Sequence, residues 1–323
     1  MPEDVPPRPR RSIFEVEGRA APGLYLVAWA LAVAGCAALF ISLVGSGGAG
    51  AGIAFGVGLA GIALGLTAGA GAQALQRTAD GAAYGGPSPV LVFGAAFALT
   101  LVAGLAVGAL DVVPEGSVAV VLSVLISAAI SVGLVALVVV SPGALSWREM
   151  GFRLPAPGEG SVARDVAWGM ALAVPALFAG GLLAAVLIAI LGVTPEPTIP
   201  PARDPGALAL SLLAAAVIAP FWEETFFRGF TTTAWARTAG FRAAIVRGAV
   251  FFALIHVVTL VGSDFGTAIR VALIAFVVRL PVALLLGWVF LRRRTLAAPI
   301  ALHATYNAIP VVLVALGAGA VPS

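Results

Sequence analysis

The sequence has little of what soluble and secreted proteins depend on. Charged residues occupy only 10% of its 323 positions, lysine is absent, and there are one cysteine and two histidines. A single cysteine excludes an internal disulfide, and the sequence contains no Cys/His cluster that would hold a structural metal. The low charge and an apolar content of 61% together exclude an ordinary soluble globule and a disordered chain.

Long apolar runs occupy most of the chain instead. A helix needs about 20 apolar residues to cross the hydrocarbon core of a bilayer. Runs of that kind lie at 22–46, 50–72, 89–110, 117–140, 165–191, 206–230, 243–262, 267–291 and 296–318. We therefore predict an all-α fold, a polytopic transmembrane helix bundle of about nine spans.

Polar and proline-rich breaks predict how these runs are grouped. An N-terminal tail at 1–21 precedes an accessory four-helix transmembrane region at 22–140. A loop at 141–164 then leads to a second membrane domain at 165–318, whose functional core begins near residue 206.

The arginines indicate an orientation. They concentrate in the tail and in alternate loops, which predicts a cytoplasmic N-terminus and a cytoplasmic 141–164 loop. Because membrane topology explains these arginines, we expect the lipid bilayer as a partner and no nucleic acid. The composition resembles that of bacterial proteins, so we expect an integral protein of a bacterial cell membrane.

Two adjacent carboxylates lie at the end of the sixth run. Ionisable groups inside a membrane segment are costly unless paired or hydrated, so they are candidates for function. Glu224 and Arg228 share one helix face and can pair, whereas Glu223 is turned about 100° away and stays available. Pro220 lacks an N–H and is expected to leave the carbonyl of Ala216 open, which kinks the helix. The alternative is a capped helix end with a solvated charge cluster.

Both histidines lie in later apolar helices, each with a possible partner four residues away. His256 follows Phe252, and His303 precedes Asn307. Either histidine alone is typical of a hydrogen-bonded packing residue. Together with Glu223, they predict one inward-facing site built from three helices.

These groups suit the hydrolysis of a peptide bond by an activated water. A glutamate and an imidazole can polarise the water, while a second imidazole and a carboxamide donate to the developing oxyanion. The sequence has neither a Gly-x-Ser-x-Gly nor a His-Glu-x-x-His motif. Zinc bound by Glu223, His256 and His303 is the alternative activator.

The ordered set of motifs resembles a known family. Glu223-Glu224-x-x-x-Arg228, Phe252-x-x-x-His256 and His303-x-x-x-Asn307 are similar to the three motifs of the CPBP family, the CAAX-prenyl-protease and bacteriocin-processing intramembrane endopeptidases. The resemblance covers roughly 165–317.

The resemblance also implies roles for these residues. Glu223 and His256 would activate water, His303 and Asn307 would stabilise the oxyanion, and the supporting residues would orient the site. Those supporting residues are Glu224, Arg228 and Phe252. We expect a glutamate-dependent reaction without a metal.

The expected function is therefore that of an intramembrane endopeptidase acting on membrane-associated peptides or proteins. Two alternatives are a proton-coupled transporter, in which Glu223 and the histidines relay protons, and a non-catalytic scaffold or immunity protein. Arg270 and Arg279 also lie inside an apolar run. We expect them to snorkel or to pair with Asp264 rather than to line a cavity.

Overall fold

The computed structural model describes residues 15–16, 19–20, 23–44, 48–110, 115–154, 161–196, 202, 204–258, 260 and 263–319. Its helices are α1 Leu24–Val44, α2 Ala49–Ala79, α3 Pro89–Ala109, α4 Ser117–Val135, α5 Val162–Leu191, α6 Pro205–Leu212, α7 Ala219–Glu224, α8 Thr233–Ala239, α9 Phe241–Ile255, α10 Phe265–Arg293 and α11 Ala297–Gly319. Three π-helical segments continue α4, α6 and α7, at Ala136–Val140, Leu213–Ile218 and Thr225–Thr232. A short antiparallel hairpin, β1 Glu15–Val16 and β2 Arg19–Ala20, precedes them. The predicted helical bundle is confirmed.

Eight stretches of the described chain are long and apolar enough to cross a membrane. Each coincides with one of the predicted runs. The protein is therefore an integral membrane protein, with its helices rather than its loops carrying most of the apolar surface.

The seventh predicted run, 243–262, differs from the others. It forms α9, which has 15 residues and is about 22 Å long, shorter than a bilayer core of about 30 Å. The helix ends because His256 leaves the α-helical hydrogen-bond pattern. The His256 backbone N–H donates to the carbonyl of Leu254, and its ring Nδ1 lies 2.7 Å from the Phe252 carbonyl that a continuing helix would use.

The described chain forms two compact units. One consists of the described residues of Met1–Val112 and Ala129–Ser146, and the other of those of Val113–Ala128 and Trp147–Ser323. All the candidate site residues lie in the second unit.

Small residues let α1 and α2 pack closely in the first unit. A Cβ added at Gly65 would lie 2.8 Å from the backbone nitrogen of Ala32 and 2.9 Å from the carbonyl oxygen of Ala28. Any larger residue there would force the helices apart. This is the small-residue packing expected between membrane helices.

In the second unit, α5 packs against α10 and α11 around a buried apolar cluster. The cluster consists of Ala176, Val282, Leu286, Val289, Ala298 and Leu302. Gly169 permits the approach of α5 to α11, because an added Cβ would lie 2.9 Å from both the Ala301 Cβ and the Leu302 nitrogen. This contact sets the position of α11, the helix that carries His303 and Asn307.

A buried carboxylate joins the ends of the same three helices. Asp165, in the first turn of α5, accepts hydrogen bonds from the guanidinium of Arg293 and from the hydroxyl of Thr295 at 2.8 Å. Because Asp165 is 1% exposed, its charge depends on these partners. No motif in the sequence indicates this role for Asp165.

The segment before α5 is also part of the second unit. Met150 is fully buried, and the carbonyl of Gly151 accepts a hydrogen bond of 3.1 Å from Leu296. Gly151 has a φ of +94°, a conformation that an L-residue with a side chain adopts only under strain. The residues just before α11 are thereby fixed by two contacts, Thr295 with Asp165 and Leu296 with Gly151.

Substituting Gly169 tests the close packing of α5 on α11. Gly169→Ala places a methyl group against α11 and is expected to lower the free energy of unfolding by about 1–3 kcal/mol. Gly181→Ala is the matched control, because it lies in the same helix with nothing within 4 Å of its added Cβ. Thermal unfolding in detergent measures both. Equal stabilities for the two variants would contradict the packing described.

Candidate active site

The span that carries the acidic pair is not a continuous α-helix. Pro205–Ala239 consists of α6, α7 and α8 separated by two π-helical segments. In the first of these, the N–H of Ala219 donates to the carbonyl of Ala214, five residues back. Such π-helical turns often occur at functional sites, where they re-aim side chains.

Pro220 comes next in that pattern and has no N–H to donate. A residue at position 220 with an N–H would donate to the carbonyl of Ala215 in π-helical spacing, and to that of Ala216 in α-helical spacing. Pro220 therefore leaves the Ala215 carbonyl without a backbone donor. The Nδ2 of Asn307 donates to the Ala215 carbonyl at 2.9 Å. The break in the helix therefore anchors Asn307, at the carbonyl one residue before the one that α-helical spacing predicts to be open.

Glu224 is fully buried and shared between two partners. Its Oε1 accepts from Arg228 NH1 at 2.9 Å, the predicted pair four residues apart, and lies 2.7 Å from Nδ1 of His303. Arg228 is only 2% exposed, so neither charge can rely on solvent. The solvated charge cluster considered from the sequence is not what forms.

Phe252 packs between the other members of the group. The guanidinium of Arg228 lies 4.3 Å from the centre of the Phe252 ring. The His256 ring lies 4.4 Å from it and the His303 ring 5.8 Å, the latter edge-on. One aromatic ring thus contacts the guanidinium through a cation–π interaction and also packs against both imidazoles.

Glu223 points away from this buried pair. Its Oε2 lies 3.7 Å from Nε2 of His256 and 3.9 Å from Nε2 of His303. No described group donates a hydrogen bond to that oxygen, although it is buried. Three side chains from α7, the end of α9 and α11 therefore converge as expected, with a space between their polar atoms.

The hydrogen bonds of the two imidazoles settle their tautomers. A carbonyl only accepts, so Nδ1 of His256 must donate to Phe252. Nδ1 of His303 likewise donates to the carboxylate of Glu224. In the neutral form, each ring then presents the lone pair of Nε2 toward Glu223.

A cavity of about 560 Å³ opens on these groups. Glu223, His256, His303 and Asn307 all line it. Most of the remaining wall is apolar, including Val120 and Val124 of α4, Val278 and Val282 of α10, and Val311 and Val314 of α11. A volume in the range of about 300–1,000 Å³ with a few convergent polar groups is typical of a ligand site.

Arg279 also lines this cavity, with the hydroxyl-bearing Tyr306 beside Asn307. Its NH1 donates to the carbonyl of Ala275 at 3.0 Å. The expectation that Arg279 snorkels or pairs with Asp264 is therefore wrong. The sequence marks Arg279 as unusual because it lies inside an apolar run. Only the packing of the helices shows that its side chain lines the cavity.

Arg270 and Asp264 have separate roles at the start of α10. Arg270 donates to the carbonyl of Leu191 and to the hydroxyl of Thr267. Asp264 caps the helix through the N–H and hydroxyl of Thr267. Those hydrogen bonds lower the pKa of Asp264 to about 2.

The described part of the chain has few side chains that could bind a metal. It contains no group of three or more His, Cys, Asp or Glu side chains arranged to hold a metal ion. The zinc alternative with Glu223, His256 and His303 thus finds no support there, and the metal-free reaction stays a prediction.

Comparison with known families identifies the segment that holds this site. Residues 205–309, which include the candidate site, match the family described as type II CAAX prenyl endopeptidase Rce1-like. No curated protein and no solved structure matches the chain. This match over residues 205–309 confirms the resemblance to the CPBP family. Every cavity-lining polar residue named above lies within the matched segment.

Removal of Glu224 tests the buried charge group. Glu224→Ala leaves Arg228 buried without its partner and is expected to lower the free energy of unfolding by about 3–5 kcal/mol. Glu223→Ala, at the adjacent position, removes a carboxylate that holds no such partner and should cost far less. Denaturant unfolding of both variants in detergent makes the comparison. A smaller loss for Glu224→Ala than for Glu223→Ala would contradict the arrangement.

Proposed function

We propose that the protein is an intramembrane endopeptidase that hydrolyses peptide bonds of membrane-associated peptides or proteins through a water activated by Glu223. The family match supports a CAAX-protease-like endopeptidase. The observation that carries the finer proposal is the unpartnered Oε2 of Glu223, facing two imidazole Nε2 atoms across 3.7 and 3.9 Å in the cavity.

The number of hydrogen-bond acceptors around the water indicates how many protons Glu223, His256 and His303 hold during the reaction. Glu223, His256 and His303 present three acceptors to the space between them, whereas one water has two protons to donate. One further proton is therefore required among the three groups. His303 is suited to hold it, because its Nδ1 faces the carboxylate of Glu224, whereas Nδ1 of His256 faces an uncharged carbonyl.

The reaction then proceeds with the chain's own groups. Glu223 takes a proton from the water as the water oxygen forms a bond to the carbonyl carbon of the substrate, and His256 orients that water through Nε2. The oxyanion accepts from Nε2–H of His303 and from the second N–H of Asn307, whose other N–H is held by Ala215.

Collapse of this tetrahedral intermediate completes the hydrolysis. The carbonyl re-forms and the C–N bond breaks. The proton held by Glu223 passes to the leaving nitrogen, which gives an amine and a carboxylic acid. Glu223 carries the proton from the water to the leaving nitrogen, and His303 and Asn307 stabilise the oxyanion, so we propose that no metal takes part.

Substituting the residue that activates the water should lower the cleavage rate more than substituting one that donates to the oxyanion. Glu223→Gln removes the base and should abolish cleavage of a membrane-tethered peptide library. Asn307→Ala removes one oxyanion donor and should lower kcat by about 100- to 1,000-fold, leaving measurable turnover. Glu149→Gln is the control. Glu149 forms an ion pair with Arg237, with 2.5 Å between the paired atoms, and it does not line the cavity. Full activity of correctly inserted Glu223→Gln protein would remove Glu223 as the base.

A chelator separates the metal-free reaction from the zinc alternative. Dialysis of the purified protein against 1,10-phenanthroline should leave the cleavage rate unchanged, because no step requires a metal. The same rate is measured after adding zinc back. Loss of activity that zinc restores would support the alternative in which the two imidazoles and Glu223 are ligands.

A further inference from the structure

Arg279 is the charged group of the cavity for which the proposed hydrolysis has no role. It lines the same space as Glu223 and the two histidines. Its guanidinium donates to the Ala275 carbonyl and forms no ion pair with any carboxylate of the described residues. A guanidinium carries five N–H donors, so most of its hydrogen-bonding capacity remains available to a ligand.

In the protonated state that the proposed hydrolysis requires, the charges around the cavity do not balance without a ligand. Glu224 and Arg228 neutralise each other at 2.9 Å. Glu223 with the two histidines is neutral when the group holds the one extra proton that the reaction requires. The positive charge of Arg279 is then left over in a cavity with mostly apolar walls. A cation in such surroundings is unfavourable unless an anion accompanies it.

Arg279 is matched in chemistry to a carboxylate. The planar guanidinium binds a carboxylate through two parallel hydrogen bonds, a geometry that an ammonium lacks. Tyr306 also lines the cavity, and its hydroxyl is one more possible donor for the same anion. The valines of α4 and α11 on the cavity wall suit apolar side chains next to that anion.

We propose that Arg279 binds a carboxylate of the substrate and thereby selects peptides with an anionic group close to the scissile bond. The proposal rests on the proposed endopeptidase function. Two sources share this chemistry, the α-carboxylate of the peptide's C-terminus and the side chain of Asp or Glu. In either case, Arg279 is a specificity residue and takes no part in the proton transfers.

The test uses matched peptides on the full-length protein in detergent. Each member of a library of N-palmitoylated decapeptides with apolar final residues is made with a free C-terminus and as the C-terminal amide. A third set keeps the amide and carries Glu or Gln at each internal position in turn. The measured quantity is the ratio of kcat/KM between the anionic and the neutral member of each pair.

The wild-type protein should favour the anionic member by about 10- to 100-fold, the value of a charge-assisted hydrogen-bond pair. Arg279→Gln should reduce that ratio to about 1, and Arg279→Lys should restore part of it. Arg270→Gln is the matched control on the same helix, because its guanidinium binds Leu191 and Thr267, and it should keep the wild-type ratio. The set that shows the preference identifies the source of the carboxylate.

Two results would overturn the proposal. One is a wild-type protein that cleaves both members of every pair equally well. The other is an Arg279→Gln protein that cleaves more slowly but keeps the wild-type ratio, which would show that Arg279 only positions Glu223.

Binding separates this proposal from the proposed function. Dissociation constants of the same peptides are measured on Glu223→Gln protein, with and without Arg279→Gln. Suppose that the wild type cleaves no peptide, but Glu223→Gln protein binds the anionic members more tightly and loses that preference when Arg279→Gln is added. The endopeptidase proposal then fails, while the carboxylate site stands. Cleavage without any difference in binding or in kcat/KM overturns the carboxylate site alone.

Discussion

The site depends on one shared carboxylate oxygen. Oε1 of Glu224 accepts from Arg228 and from Nδ1 of His303, so the π-helical segment after α7 is joined to α11 through a fully buried group. A buried carboxylate without these donors would be strongly unfavourable. The orientation of the His303 ring follows from this bond, and with it the direction in which Nε2 faces Glu223.

The interrupted helix brings the second constraint. An apolar environment requires that every backbone carbonyl find a donor, and Pro220 removes one. The structure meets that requirement with the side chain of Asn307, which is thereby fixed beside the cavity. A defect in one helix and a polar residue on another thus stabilise each other. Close packing at Gly169 and the buried Asp165 keep α11 where both contacts can form.

Much of the site could be predicted because its residues stand out against an apolar background. Glu223, Glu224, Arg228 and the two histidines are rare charged or titratable groups in membrane helices, and their spacing places them on defined faces. The length of α9 and the register of the broken span could not be predicted in this way. A π-helical turn shifts each partner by one residue, and hydropathy reports apolar content rather than the residue at which a helix ends.

The sequence predicts eight of the membrane-spanning helices, the family resemblance and the short list of polar residues, because apolar runs and i, i+4 spacing are local properties. Which atoms face one another depends on how the helices pack. Oε2 of Glu223 faces two imidazoles, and the Ala215 carbonyl accepts a hydrogen bond from Asn307. Arg279 lines the cavity rather than the membrane surface. These contacts join residues up to 92 positions apart, so they depend on how the helices pack and not on any local pattern.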